Sequence, residues 1–82
     1  MNSANEIAIW LRNRIAAEIK CDPDEIATDT EFTALGMDSL MSVSLADELA
    51  GVLGISLDPT IFWEFDSIAE LTKWLEDNKL KQ

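Results

Sequence analysis

The chain has 82 residues, enough for one small domain with a single core and too few for a large buried active-site cleft. Hydrophobic residues make up 48% of it, which predicts a folded chain rather than a disordered one. The formal net charge of −10, from 16 acidic and 6 basic residues, argues against nucleic acid and anionic membranes as partners. It favours basic surfaces of other proteins.

Histidine is absent, so the commonest general base and the commonest metal ligand are both missing. We therefore expect no catalysis by this chain itself. The single cysteine, Cys21, cannot form an internal disulfide, and this is typical of a reducing cytoplasm. No apolar run reaches membrane-spanning length, and the first residues lack the features of a signal peptide. We expect one cytoplasmic domain over residues 1–82.

A first helix is predicted over about Asn5 to Lys20. Ser3 and Glu6 form a capping-box pattern in front of it, and Pro23 is expected to end it. Its apolar residues recur at helical spacing, with Trp10 alongside: Ile7, Leu11, Ile15 and Ile19.

A long loop is predicted from Cys21 to Gly36. Ile26, Phe32 and Leu35 are spaced like residues that hold such a loop on a core. The segment "DPDEIATDTEFT" could be read as a calcium loop, but it lacks the glycine at its sixth position and the glutamate at its twelfth. We interpret it as an acidic, solvated loop.

A second helix is predicted to begin at Asp38 or Ser39 and to end near Gly51 to Gly54, with Asp38 as its N-cap. The residues expected to face the core are Met41, Leu45, Leu49 and Val52. Ser39, Leu40, Val43 and Asp47 fall on a different face by helical spacing. An exposed serine beside exposed apolar residues indicates a contact surface.

Two further helices complete the chain. Asp58 is expected to cap a short third helix with Pro59 at its first position. Ser67 and Glu70 form a second capping-box pattern, and apolar residues continue the fourth helix to about Asn78: Ile68, Leu71, Trp74 and Leu75. We expect Trp63 and Trp74 in the core. The fold class is therefore all-α, with three main helices and one short helix.

Ser39 is a poor candidate nucleophile. It does not lie in a G-x-S-x-G elbow, and no histidine is available to activate it. A serine in the first turn of a helix does suit an attached phosphate, because the free N–H groups and the helix dipole favour negative charge there. We expect chemistry to be done to this serine by another enzyme.

The segment "LGMDSL" resembles the phosphopantetheine attachment site of acyl carrier proteins, and the resemblance covers nearly the whole chain. The stretches "DSLMSVSLADEL" and "PTIFWEFDSIAEL" are similar to those of polyketide synthase carrier domains. Asp66-Ser67 stands where the family often has Pro-Thr, which keeps a helix cap. Met37-Asp38 differs from the Gly-Gly-x-Ser of peptidyl carriers, and the second helix lacks the tryptophan typical of carriers that recruit β-branching enzymes.

The resemblance implies a small four-helix bundle of acyl-carrier-protein type. It implies that Ser39 bears 4′-phosphopantetheine, on which acyl intermediates are held as thioesters. The partners would be a phosphopantetheinyl transferase, a ketosynthase, an acyltransferase and other synthase domains, with the isolated domain monomeric and no metal bound. The residues expected to contact partners or the arm are Asp38, Leu40, Val43, Asp47, Glu48 and Phe62.

Two alternatives to a polyketide carrier stay open at this point. One is a discrete carrier of fatty acids or other acyl groups. The other, from a different class, is an unmodified acidic helical module for protein interaction, in which the Asp-Ser-Leu sequence is a coincidence.

Overall fold

The computed structural model describes residues 3–80, without the side chain of Leu80. It contains four α-helices, which we number α1 (Ala4–Ile19), α2 (Ser39–Leu53), α3 (Ile61–Glu64) and α4 (Ile68–Leu75). A 3₁₀ turn spans Pro23–Glu25, and a π-helical turn at Glu76–Leu80 extends α4. The predicted all-α fold is confirmed. Within the described residues, no helix is both long and apolar enough to cross a membrane.

The three longer helices begin at the predicted capping residues. Ser3 accepts a hydrogen bond from the Glu6 N–H at 3.2 Å, and Ser67 accepts one from the Glu70 N–H at 3.4 Å. Asp38 caps α2, and its carboxylate accepts from the Met41 N–H at 2.8 Å. Each cap uses one of the N–H groups that the first helical turn cannot satisfy internally, so these side chains fix where the helices start.

Helices α1 and α2 end in the same way. Lys20 follows α1 with φ 60° and Gly54 follows α2 with φ 68°, both in the left-handed conformation. In each case two successive N–H groups converge on one carbonyl, that of Ala16 or that of Ala50. Pro23 is therefore not what ends α1, contrary to the prediction, because the chain has already left the helix at Lys20.

The core lies between the helices, with α1 packed mainly on α4 and α2 on α3. Ile26 and Phe32 of the long loop are buried in it and Leu35 packs against it, which confirms their predicted role. Two backbone hydrogen bonds tie the loop to the start of α4, from the Phe32 N–H to the Asp66 carbonyl at 2.8 Å and from the Ala69 N–H to the Thr28 carbonyl at 2.9 Å.

The core face of α2 differs from the prediction in its last turn. Val52 is 48% exposed, and Leu53 packs against the core in its place. Both positions continue the stripe from Leu49, at spacings of three and four residues, so periodicity alone does not choose between them. Ser42 and Ala46, which lie outside the predicted stripe, are also buried on this face.

The third helix is short, as predicted, but it starts later than predicted. Asp58 accepts hydrogen bonds from the N–H and the hydroxyl of Thr60, at 2.9 and 2.6 Å, so Pro59 lies in a turn before the helix. Ile61 at the start of α3 is buried, whereas Trp63 is 54% exposed, and the prediction of a core position for Trp63 is wrong. Trp74, also expected in the core, is only half-buried and packs at its edge against Phe65, with ring centroids 5.3 Å apart.

The two ends of α1 lie near different parts of the fold. At its start, the Ala4 N–H donates to the Glu76 carboxylate at 2.7 Å, which joins it to the end of α4. At its end, Glu18 and Ile19 line a groove together with Asp38 and Leu40 at the start of α2. A 16-residue helix is about 24 Å long, so the start of α2 lies far from the point where α1 meets the end of α4.

Candidate functional site

The site begins at the junction between the long loop and α2. Gly36 has φ 86°, a conformation that side chains other than glycine rarely adopt, and it turns the loop toward the helix. Asp38 is extended, with φ −100° and ψ 177°, and the first intrahelical hydrogen bond runs from the Ser42 N–H to the Asp38 carbonyl at 2.9 Å. Ser39 is thus the first residue of α2, and it is exposed.

The first turn of α2 favours a negatively charged group on Ser39. The N–H groups of this turn have no partner inside the helix, and Asp38 takes that of Met41. Those of Ser39 and Leu40 remain as donors at the positive end of the helix dipole. Ser42 is buried, and Ser44 lies beyond the first turn, so of these three serines only Ser39 combines exposure with this position.

The predicted contact face of α2 is exposed as expected. Leu40 is 80% exposed and Val43 is 40% exposed, and Asp47 lies one further turn along the helix, also exposed. Spacings of three and four residues place the three side chains along one side of the helix. The face therefore offers two apolar groups followed by one carboxylate.

Glu48 and Phe62 are less available for contacts with a partner than the other predicted contact residues. The Glu48 carboxylate accepts two hydrogen bonds from the Nη2 of Arg14 on α1, at 2.9 and 3.1 Å, so an internal cation already holds it. Phe62 is only 3% exposed and packs edge-on against Phe32, with ring centroids 5.1 Å apart. The expectation of an accessible Phe62 is corrected, because this face of α3 points into the core and Trp63 is the exposed aromatic residue.

Among the described residues, hollows of different size lie on the surface near these elements. One, about 400 Å³, lies between α1 and α2. A second, about 350 Å³, lies beside Val43 and Asp47 and extends to Leu57 and Pro59. A third, about 130 Å³, lies beside Trp63. The first two lie along neighbouring faces of α2 and share Ser44.

Cys21, the single cysteine of the chain, is the other side chain whose nucleophilicity bears on the site. Cys21 is half-buried, and burial together with the charges of Glu25 and Asp22 raises the pKa of its thiol, which keeps it protonated and weakly nucleophilic. Hydrogen bonds from Thr60 lower the pKa of Asp58, in keeping with its role in the turn before α3. Among the described residues, no cluster of three potential metal ligands occurs.

Comparison with known sequences identifies the same region. Residues 9–75 match the family described as the phosphopantetheine attachment site. The chain is 38% identical over 66 residues to the non-reducing polyketide synthase afvB of Aspergillus flavus, covering 80% of this chain and 4% of that protein. It is 42% identical over 55 residues to the p-hydroxybenzoic acid–AMP ligase FadD22 of Mycobacterium tuberculosis, covering 67% of this chain and 8% of that protein. The chain thus spans a small fraction of the length of these relatives.

Solved structures share the fold over the full domain. A free-standing peptidyl carrier protein from Acinetobacter baumannii superposes with a TM-score of 0.86 at 26% identity, covering 94% of this chain and 96% of that one. The acyl carrier protein LipD from Actinoplanes friuliensis gives a TM-score of 0.74 at 34% identity, covering 96% and 87%. The four-helix fold with an exposed serine at the start of α2 thus defines a carrier domain.

The chain belongs to the phosphopantetheine-binding carrier family, and its prosthetic group is 4′-phosphopantetheine. The resemblance stated from the sequence is confirmed, and so is similarity to the carrier regions of polyketide synthases. The first turn of α2 fits this group, because it combines an exposed hydroxyl with N–H donors suited to a phosphodiester. When bound, the group supplies a thiol that holds an acyl chain as a thioester.

Proposed function

We propose that Ser39 carries the 4′-phosphopantetheine and that the domain presents polyketide intermediates to partner synthase enzymes. The observation that carries this proposal is the position of Ser39, exposed as the first residue of α2 directly after the capping Asp38. The serine is not a catalytic group in this proposal. It is the acceptor of the phosphopantetheinyl group: in the transferase, the Ser39 oxygen bonds to the phosphorus that carries the pantetheine of coenzyme A. The pyrophosphate bond breaks, adenosine 3′,5′-bisphosphate leaves, and the hydroxyl proton is released.

The surrounding residues have separate roles. Asp38 fixes the start of α2 and gives the transferase a carboxylate next to the acceptor hydroxyl. Leu40 and Val43 offer the apolar contacts for partner enzymes, and Asp47 offers the charged one. With a net charge of −10, the domain is attracted over long range to basic docking surfaces and repelled by its own copies, which supports a monomer.

The polyketide cargo is supported by sequence similarity. Several fungal non-reducing polyketide synthases match 77–80% of the chain at 33–38% identity. We infer that the partners are a ketosynthase and an acyltransferase of such a synthase, acting in the cytoplasm. A domain that accepted acyl groups from a fatty acid synthase and from no polyketide synthase would be a fatty acid carrier instead.

The attachment is tested by incubating the chain with coenzyme A, magnesium and a broad-specificity phosphopantetheinyl transferase, followed by intact-mass measurement. The wild type is expected to gain one phosphopantetheinyl group. Ser39→Ala should gain none, and the matched control Ser44→Ala should gain one. A wild type that stays unmodified would support the unmodified interaction module.

A further inference from the structure

The hollow between α1 and α2 lies directly beside Ser39. Asp38 and Leu40, the neighbours of Ser39 on both sides, line it, as do Glu18 and Ile19 of α1. Its other lining residues are Gly36, Met41, Ser44, Leu45 and Glu48. From Asp38 to Glu48 the helix rises about 15 Å, at about 1.5 Å per residue, so the hollow is an elongated groove that starts at the attachment residue. We call it the α1–α2 groove.

The walls of the α1–α2 groove combine apolar and hydrogen-bonding groups. Ile19 and Met41 are half-buried and Leu45 is buried, so they form an apolar floor. Glu18, Ser44 and Glu48 place carboxylate and hydroxyl oxygens at its edges. A pantetheine arm has matching chemistry, with amide N–H donors separated by methylene and methyl groups that can cover apolar side chains.

From this match we propose that the arm on Ser39 rests along the α1–α2 groove between visits to partner enzymes. The inference rests on the proposed attachment at Ser39. It assigns the contacts to this chain's own side chains: Ile19 and Met41 pack against the apolar parts of the arm, and Glu18 and Ser44 accept hydrogen bonds from its amides.

The far end of the groove is held in place by an ion pair. Arg14 binds the Glu48 carboxylate at 2.9 and 3.1 Å and lies 3.7 Å from the Glu18 carboxylate, so one cation holds Glu48 and lies close to Glu18. Because Arg14 already holds the Glu48 side chain, binding of the arm costs little further side-chain entropy at this end of the groove. A tether at Ser39 also makes the contact intramolecular, so even weak contacts can occupy the groove.

The placement leaves two residues of the docking face free. Val43 and Asp47 line the neighbouring hollow of about 350 Å³ and do not line the α1–α2 groove. A partner could therefore contact Val43 and Asp47 while the arm still lies in the α1–α2 groove. The arm would leave the groove after the partner has bound. Recognition through Val43 and Asp47 and storage of the arm thus use different residues, while Leu40 lines the groove and Ser44 lines both hollows.

The test is an isotope-filtered NOE experiment on the loaded domain. The ¹³C,¹⁵N-labelled protein is loaded from unlabelled coenzyme A, and its intact mass is measured first. Failure to load would count against the proposed function, and only a loaded sample bears on the groove. The expected result is NOEs from the arm to the methyl groups of Ile19 and Met41. NOEs confined to Val43 or Leu57, or none beyond the residues next to Ser39, would overturn the proposal.

Two matched variants sharpen the test. Glu18→Trp places a large ring at the edge of the groove and should reduce the NOEs to Ile19 and Met41 by more than half. Ala17→Trp adds the same ring at the preceding exposed position of α1, which does not line the groove, and should leave them unchanged. Equal NOE intensities in the two variants, with helical circular dichroism spectra intact, would contradict the proposed path of the arm.

Discussion

Arg14 on α1 and Glu48 on α2 are joined by two hydrogen bonds, from one guanidinium nitrogen to both carboxylate oxygens. The adjacent acid, Asp47, is exposed, and within residues 3–80 no lysine or arginine lies within ion-pair distance of it. Two neighbouring carboxylates thus have different surroundings. We infer that Glu48 stabilises the contact between α1 and α2 and that Asp47 is available to partners.

The roles of Glu48 and Asp47 can be distinguished by replacing each carboxylate with a neutral amide of nearly the same shape. Glu48→Gln should lower the free energy of unfolding by about 0.5–1 kcal/mol, because it removes the ion pair with Arg14. The loss is modest, since both side chains are partly exposed and water screens the attraction between them. Asp47→Asn should change it by less than about 0.3 kcal/mol, as for other exposed sites. Urea denaturation measures both.

The rate of acyl transfer from a partner synthase should be affected more by the substitution at Asp47 than by the one at Glu48. Asp47→Asn should slow it several-fold, and Glu48→Gln should leave its rate near that of the wild type. A Glu48→Gln defect in transfer larger than that of Asp47→Asn, with an unchanged unfolding free energy, would reverse the assignment.

The two roles of Asp38 can also be distinguished. Asparagine is as good an N-cap as aspartate, so Asp38→Asn should keep stability within about 0.5 kcal/mol of the wild type. Asp38→Ala should cost about 1 kcal/mol, because the Met41 N–H loses its acceptor. If the transferase recognises the negative charge of Asp38, both Asp38→Asn and Asp38→Ala should be loaded with phosphopantetheine more slowly than the wild type. Loading of Asp38→Asn at the wild-type rate would show that only the cap matters.

Two glycines of one helix should respond oppositely to alanine. Gly51 lies inside α2 with open space where the methyl group of an alanine would lie, so Gly51→Ala should stabilise the domain by about 0.5–1 kcal/mol. Gly54 has φ 68° at the end of the helix, so Gly54→Ala should destabilise it by about 1 kcal/mol. Thermal melts followed by circular dichroism give both values. Stabilisation by Gly54→Ala would argue against the left-handed helix end.

The aromatic pair of α3 provides a further test. Phe62→Ala should cost about 3–5 kcal/mol, since the ring is buried against Phe32. Trp63→Ala should change stability by about 0.5 kcal/mol or less. Chemical denaturation distinguishes them, and a larger loss for Trp63→Ala would mean that the two rings exchange places.

Much of the fold follows from residue types at local spacing. Ser3, Asp38 and Ser67 are predicted as caps because short polar side chains satisfy helix N–H groups, and each of them does so. The exposure of Leu40 and Val43 follows from the period of α2. These features depend on residues within a few positions of one another, which a sequence displays directly.

The features that sequence reasoning missed depend on non-local packing or on very short elements. Helix α3 has four residues, too few to establish a period, so the inward and outward aromatic positions were interchanged. Arg14 and Glu48 are 34 positions apart, and their contact depends on how α1 packs near α2. The α1–α2 groove depends on the same packing, which no local pattern reports.

The central claim is that Ser39, and no other serine, carries the prosthetic group. The most direct measurement is tandem mass spectrometry of a peptide from the loaded wild-type chain that contains Ser39, Ser42 and Ser44. Fragment ions should place the phosphopantetheinyl group on Ser39, the exposed residue in the first turn of α2. A phosphopantetheinyl group located on Ser44 or on any residue outside this peptide would contradict the account.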